Sequence, residues 1–219
     1  MFKFTIRIIP VLILLLFACA KQSNAQGVSA YFGMGSAVDS AATSSGCPAK
    51  QIDDPFNALG PPSSCVTAPT MGGIFGLFGA DFMIKPHLGI NFEYAGRFAQ
   101  ASYLPTEGVN VRPSFYDFNA VFQPTTGDKR IVPVLEGGIG GAKLSFYGVQ
   151  TGVFSSSQLL GSSNHFQLHG GVGLKMYFKS DFFVKPQFDI HYVHNLTDQY
   201  GRNAVPEVTI SVGYTFGRQ

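Results

Sequence analysis

From Leu88 to Phe98 the chain alternates residue by residue, with Leu88, Ile90, Phe92, Tyr94, Gly96 and Phe98 on one side and Gly89, Asn91, Glu93, Ala95 and Arg97 on the other. A period of two marks a strand with unlike faces. The alternation returns over 166–178, 182–192 and 207–216, where the polar set holds Gln167, His169 and Lys175, then Lys185, Gln187, Asp189 and His191, then Glu207, Thr209 and Ser211. Four less regular stretches share the pattern: 28–37, 72–84, 112–122 and 131–146. Their apolar faces include Phe32, Phe78, Phe118 and Ile139, and their polar faces Asp81, Asp117, Asn119 and Glu136.

The 219 residues include 26 Gly, 21 Phe, 9 Tyr and no Trp, and only 13% are charged. Beyond the N-terminal segment no apolar run approaches the ~20 residues that a membrane-spanning helix needs. Hydrophobicity spread over short alternating segments suits strands with one face in lipid and the other in a lumen. Lipid offers no hydrogen bonds, so such strands must close into a cylinder. A soluble sandwich would instead turn its apolar face to a core and its charges to water. The eight segments make the even number that bacterial single-chain barrels require. The predicted fold is therefore all-β, an eight-stranded antiparallel transmembrane β-barrel over residues 26–219.

At the N-terminus Lys3 and Arg7 precede an apolar core from Ile8 to Phe17, and small residues end at Ser23-Asn24-Ala25. This reads as a secretory signal peptide over 1–25. A lipoprotein cut at Cys19 is a second reading, with bulky Phe17 against it. Removing the leader over 1–25 takes Cys19 with it and leaves Cys47 and Cys65 as a pair, and an even pair in an exported chain predicts a disulfide. The bond could stabilise the fold by ~3 kcal/mol.

The predicted connections alternate in length: 39–69, 99–110, 148–163 and 194–204 are long, whereas 85–87, 123–129 and 179–181 are short. Short turns on one side and long loops on the other is an outer-membrane arrangement with both termini periplasmic. The Cys47/Cys65 pair then falls in the first surface loop. Pro86 reads as turn, and Pro113, Pro133, Pro186 and Pro206 as strand ends or bulges.

The leader together with VPVLEGGIGGAKLSF at 132–146, FQLHGGVGLKMYF at 166–178 and VTISVGYTF at 208–216 resembles the OmpA-like and opacity-type outer-membrane β-barrel families. The resemblance covers essentially the whole mature chain. It implies residence in a Gram-negative-type outer membrane among its lipids and lipopolysaccharide. The last strand, with Phe216 followed by Gly217-Arg218-Gln219, is similar to the family's assembly signal, which implies the barrel-assembly machinery as a partner during insertion.

An eight-stranded barrel is just wide enough inside for side chains to fill it. Charges enclosed there must pair, because an isolated buried ion is very costly. Glu93, Arg97, Asp117, Glu136, Lys175, Lys185 and Asp189, with Asp81 and Glu207, are expected to form such a network, and a narrow gated channel is the competing reading. A third class, the lipid A deacylases, carries a His-x-Ser-Asn motif that His191-Tyr192-Val193-His194-Asn195 resembles in part, but Val193 stands at the serine position and cannot be a nucleophile. The glycine run 137–143 lacks the Lys-Ser/Thr ending and following helix of a phosphate loop. His165 and His169 lie ~13 Å apart at strand rise and cannot share a metal. With a net charge of +2 and no basic run, nucleic acid is not an expected partner. No catalytic, cofactor or metal site is expected. The expected role is structural, adhesive or ligand-binding, performed through the surface loops.

Overall fold

The structure, a computed structural model, describes residues 27–38, 43–53, 65–104, 108–125, 129–150, 156–179, 181–196 and 202–217. The leader reading over 1–25 lies outside these residues. The elements in chain order are β1 (Val28–Ala37), β2 (Gln51–Asp53), β3 (Cys65–Thr67), β4 (Gly73–Met83), β5 (Leu88–Arg97), β6 (Ala101–Leu104), β7 (Val109–Phe122), β8 (Ile131–Gln150), β9 (Ser156–Lys179), β10 (Phe182–Val193) and β11 (Ala204–Phe216).

Eight of these strands form one closed antiparallel barrel: β5, β4, β1, β11, β10, β9, β8 and β7 are neighbours in that order, and β7 pairs back to β5. Paired residues trace the closure. From Val28 the path runs through Phe82, Ile90, Ala120, Gly137, Gly170, Ile190 and Pro206. It returns to β1 at Val38, whose amide donates to the Pro206 carbonyl at 2.8 Å. The return lies ten residues beyond the start, which is the stagger that tilted strands need in order to close.

The apolar set of every barrel strand faces outward. Phe32, Phe78, Phe118, Ile139 and Ile210 are each more than half exposed on the outer surface. Exposed apolar area this continuous is foreign to a protein dissolved in water, and lipid is its fitting solvent. Among the described residues no helix is long and apolar enough to cross a membrane. At the short-turn end Phe82, Phe122, Phe178, Phe182 and Phe216 form an aromatic ring around the barrel. Phe178 meets Phe182 at 6.3 Å between centroids, and Phe182 meets Tyr214 at 4.9 Å. Tyr214 also donates its hydroxyl to Asp181 at 3.3 Å. Aromatic girdles mark the membrane interfaces of such barrels.

The structure departs from the sequence expectation in three places. The predicted loop 148–163 is largely strand: β8 runs to Gln150 and β9 starts at Ser156, with Gln150 opposite Ser156. Beyond the bilayer both faces of a hairpin meet water, so hydrophobic alternation ends although pairing continues. The first and third loops carry structure as well. Strands β2 and β3 form a small hairpin beside the Cys47–Cys65 disulfide, whose Cα atoms are 5.7 Å apart, and β6 pairs with the start of β7. Finally, Pro186 sits mid-strand in β10, not at an end or bulge. The β9–β10 ladder passes from Val184 to Gln187 without pairing Lys185 or Pro186, which accommodates the amide that proline lacks.

Phe118 lies in the middle of the lipid-facing belt, on the β5–β7–β8 wall. Phe118→Arg is expected to destabilise the barrel by about 2–4 kcal/mol, read from urea unfolding in lipid vesicles. A loss under about 1 kcal/mol, the range for interfacial sites, would contradict the membrane placement.

Candidate functional site

The inward face of each strand delivers polar side chains to a crowded lumen, arranged in tiers. Nearest the short turns, Ser29 and Thr215 share a hydrogen bond of 2.9 Å, and Tyr177 reaches the Thr215 hydroxyl at 3.0 Å. Lys175 pairs with Asp81 at 2.6 Å, donates to Ser29 at 3.2 Å, and lies over the Phe183 ring. In the next tier Lys185 pairs with Glu136 at 2.6 Å and sits 4.3 Å above the Tyr31 ring. The Tyr31 hydroxyl accepts from Lys185 at 3.2 Å and Asn91 at 2.6 Å and donates to Glu93 at 2.8 Å. Asn91 also donates to Asp81, which joins the two tiers.

Further out lies a cluster centred on two histidines. His169 Nδ1 meets Asn119 Oδ1 at 2.9 Å and Nε2 meets Asp189 Oδ1 at 3.1 Å. The Asn119 amide nitrogen donates to Asn91, so both His169 nitrogens face acceptors, a demand that a doubly protonated ring satisfies. His191 Nε2 meets Glu207 at 3.0 Å, while its Nδ1 stands 3.8 Å from Asp117 Oδ2, too far for a hydrogen bond. Asp117 accepts from Gln167 at 2.6 Å, and Asp189 accepts from Gln187 at 2.8 Å. The imidazoles stack at 4.8 Å between centroids, and Phe115 covers the outer side of His191 at 4.4 Å.

Above this cluster the lumen turns apolar. Phe75 stacks on Phe115 at 5.8 Å, and Met71, Val111, Leu144, Val193, Leu196 and Val205 are all fully buried around them. The apolar tier closes the lumen toward the long connections.

The glycine run read as small strand residues has a definite role. Gly138 and Gly140 face inward on β8, where an added Cβ would come within 2.5 Å of Asn119 Oδ1 and Asp117 Oδ1 respectively. On β9 a Cβ at Gly171 would run into the Asp189 carboxylate. These three positions leave the volume into which the carboxylates and amides of facing strands extend.

Of the residues expected in the lumen network, Glu93, Asp117, Glu136, Lys175, Lys185 and Asp189 are all buried and connected as described, together with Asp81 and Glu207. Arg97 lies one tier further out, at the rim, where its guanidinium donates to the Thr70 carbonyl at 3.4 Å beside Gly73. Strand phase placed His191 inside but did not reveal that it stacks on His169 of the neighbouring strand, since that contact depends on register. Tyr31, the junction of the inner network, reads as one more aromatic residue in a Phe-rich chain.

No family model matches the chain, and no curated protein matches it. Solved structures do. The fold is similar to that of the N-terminal β-barrel domain of Pseudomonas aeruginosa OprF, at 13% identity and a TM-score of 0.50 over 88% of this chain and all of that one. It is similar to Neisserial surface protein A, at 12% identity and a TM-score of 0.50 over 89% and 100% of the two chains. It is also similar to the outer membrane protein OprG from Pseudomonas aeruginosa, at 10% identity and a TM-score of 0.51 over 88% and 96%. At these identities the likeness is one of fold.

Removing one partner of a buried ion pair strands the other charge and costs about 3–5 kcal/mol. Lys185→Met is therefore expected to lower stability by about that much through Glu136. The double variant Lys185→Met/Glu136→Leu should recover most of the loss in the same urea titration. A double variant as unstable as the single would show that Lys185 acts chiefly through Tyr31 and Glu93.

Proposed function

We propose that the protein is an integral outer-membrane barrel that works as a rigid mount, presenting its surface loops for adhesion or for binding an extracellular ligand. In this reading the leader over 1–25 exports the chain, the barrel-assembly machinery inserts it, and outer-membrane lipids and lipopolysaccharide surround the apolar belt.

The filled lumen carries the reading. Paired side chains occupy its inner tiers, and Phe75, Phe115, Leu144 and Val205 close its outer one, each fully buried. Side chains packed this way give solutes no path, so the parts free to meet a partner are those outside the membrane. There β8 and β9 continue as a paired hairpin to Gln150 and Ser156, and a disulfide fastens the first loop. Loops on a rigid scaffold are the usual carriers of binding.

The role is taken as non-enzymatic. Val193 occupies the place a deacylase serine would need, and both Val193 and the His191 ring are enclosed in the lumen, away from lipid substrate. Lipid A mass spectra from cells with and without the protein are expected to be identical.

Two measurements test the mount. The purified barrel in a planar bilayer is expected to show no discrete conductance steps, and steps would favour the channel reading. Cells displaying the full chain should bind an array of immobilised glycans and matrix proteins. A variant with the hairpin trimmed back to Phe146 and Gly161 should keep its heat-modifiable mobility but lose that binding. Equal binding by both, or by neither, would remove the hairpin as the interacting element.

A further inference from the structure

Among the described residues the buried lumen holds six carboxylates, those of Asp81, Glu93, Asp117, Glu136, Asp189 and Glu207, against two lysines and two histidines. Lys175 and Lys185 are committed to Asp81 and Glu136 in the inner tiers, where Glu93 accepts from the Tyr31 hydroxyl. Asp117, Asp189 and Glu207 are left around the two imidazoles, where the nearest positive charge is what the rings themselves carry. Uncompensated charge in such a site is costly.

Asp117, His169 and His191 each offer a ligand atom, and these atoms all lie within 4.8 Å of one another. One of them stands out. His191 Nδ1 is fully buried and has no hydrogen-bond partner, although it points at Asp117 Oδ2 3.8 Å away. The opposite nitrogen of the same ring is held by Glu207, the outer carboxylate that typically orients a metal-bound histidine and leaves its other nitrogen free to ligate. Two further oxygens of the cluster, Asp189 Oδ2 and Glu207 Oε1, are also buried without a partner.

We propose that this cluster is a binding site for one divalent transition-metal ion, with His191 Nδ1, a nitrogen of His169 and a carboxylate oxygen of Asp117 as ligands. Two imidazoles and a carboxylate without thiolate suit zinc and its borderline neighbours better than calcium or magnesium, which prefer oxygen alone. His191 enters through the Nδ1 that is left open while Glu207 holds its Nε2. His169 must give up one of its two hydrogen bonds with the proton in it and turn out of its stack on His191, because rings inclined by only 25° do not aim their in-plane lone pairs at one point. Binding then releases one proton and brings two positive charges. The ion would join β7, β9 and β10 across the lumen, and the inward glycines Gly138, Gly140 and Gly171 provide the space in which those side chains meet. The site is independent of what the loops bind, and of whether they bind anything.

Because the cluster is enclosed, metal has to be present while the barrel forms. The full chain, expressed with its leader in cells supplied with Zn2+, would be extracted in detergent and dialysed, and its metal counted by mass spectrometry. About one zinc per barrel is expected. His165→Gln, a histidine outside the cluster, should retain it, and Asp117→Asn and His191→Gln should retain at least tenfold less, in the range seen when metal-site groups are altered. Should those variants fail to show folded gel mobility, Co2+ supplied to the wild-type chain decides. Intense visible absorption of low-coordinate cobalt supports the site. A spectrum of hydrated cobalt, or wild-type zinc no higher than in a protein-free detergent blank, overturns it and leaves protons alone to balance the cluster.

Discussion

A backbone crossing lipid finds no water to bind its amides and carbonyls, so the ladder has to close on itself. Here the seam between β1 and β11 completes it, from Val28 opposite Phe216 to Ala37 opposite Glu207. The other features described follow from that closure. A closed sheet of eight strands must tilt and stagger, which fixes both the bore and the residues that meet inside it. Tyr31 reaches Glu93, 62 positions away in sequence, because both stand in register with Gly79 of the intervening β4, whose missing side chain lets the ring lie across it.

The solvent outside dictates the content inside. Lipid takes up the phenylalanines and aliphatic residues, so the alternate positions are left to be polar, and in a bore this narrow they have to satisfy one another. Glycine at 138, 140 and 171 makes the crowding possible, since a methyl group there would collide with the side chains that cross the lumen. The apolar tier around Phe75 and Phe115 then shields the outermost charges from the side where the long connections lie. That seal lets ion pairs persist at the dielectric of a protein interior.

Alternation carried the strands well. The stretch expected over 182–192 is β10, Phe182–Val193, and that over 28–37 is β1 without change. The pattern fades where the physical contrast behind it fades. Ser156–Gly161 pairs as strand, but water lies on both sides of it, so nothing in its residue order marks one face from the other. Pro186 misled for another reason: its cost falls on a single neighbour, and which neighbour is affected depends on pairing that composition does not reveal. The inward charges were legible one by one from strand phase. Their partners were not, because the contacts of His169 with His191 and of Lys185 with Glu136 depend on register summed around the barrel. Arg97 shows the limit plainly, since its phase is inward but its height sets it at the rim.

The β8–β9 hairpin has a mechanical consequence. Its twenty- and twenty-four-residue strands are continuous with the barrel wall, so pairing carries on from lipid into water with a single register shift between Phe146 and Tyr147. A flexible loop would sample many positions and lose that freedom on meeting a partner. The paired part of a stalk rooted in the wall has already lost it during folding, so less ordering entropy would oppose an association there. Its direction and reach are set by strand tilt, and the barrel thereby acts as a ruler that fixes how far from the membrane surface the paired part of the hairpin extends.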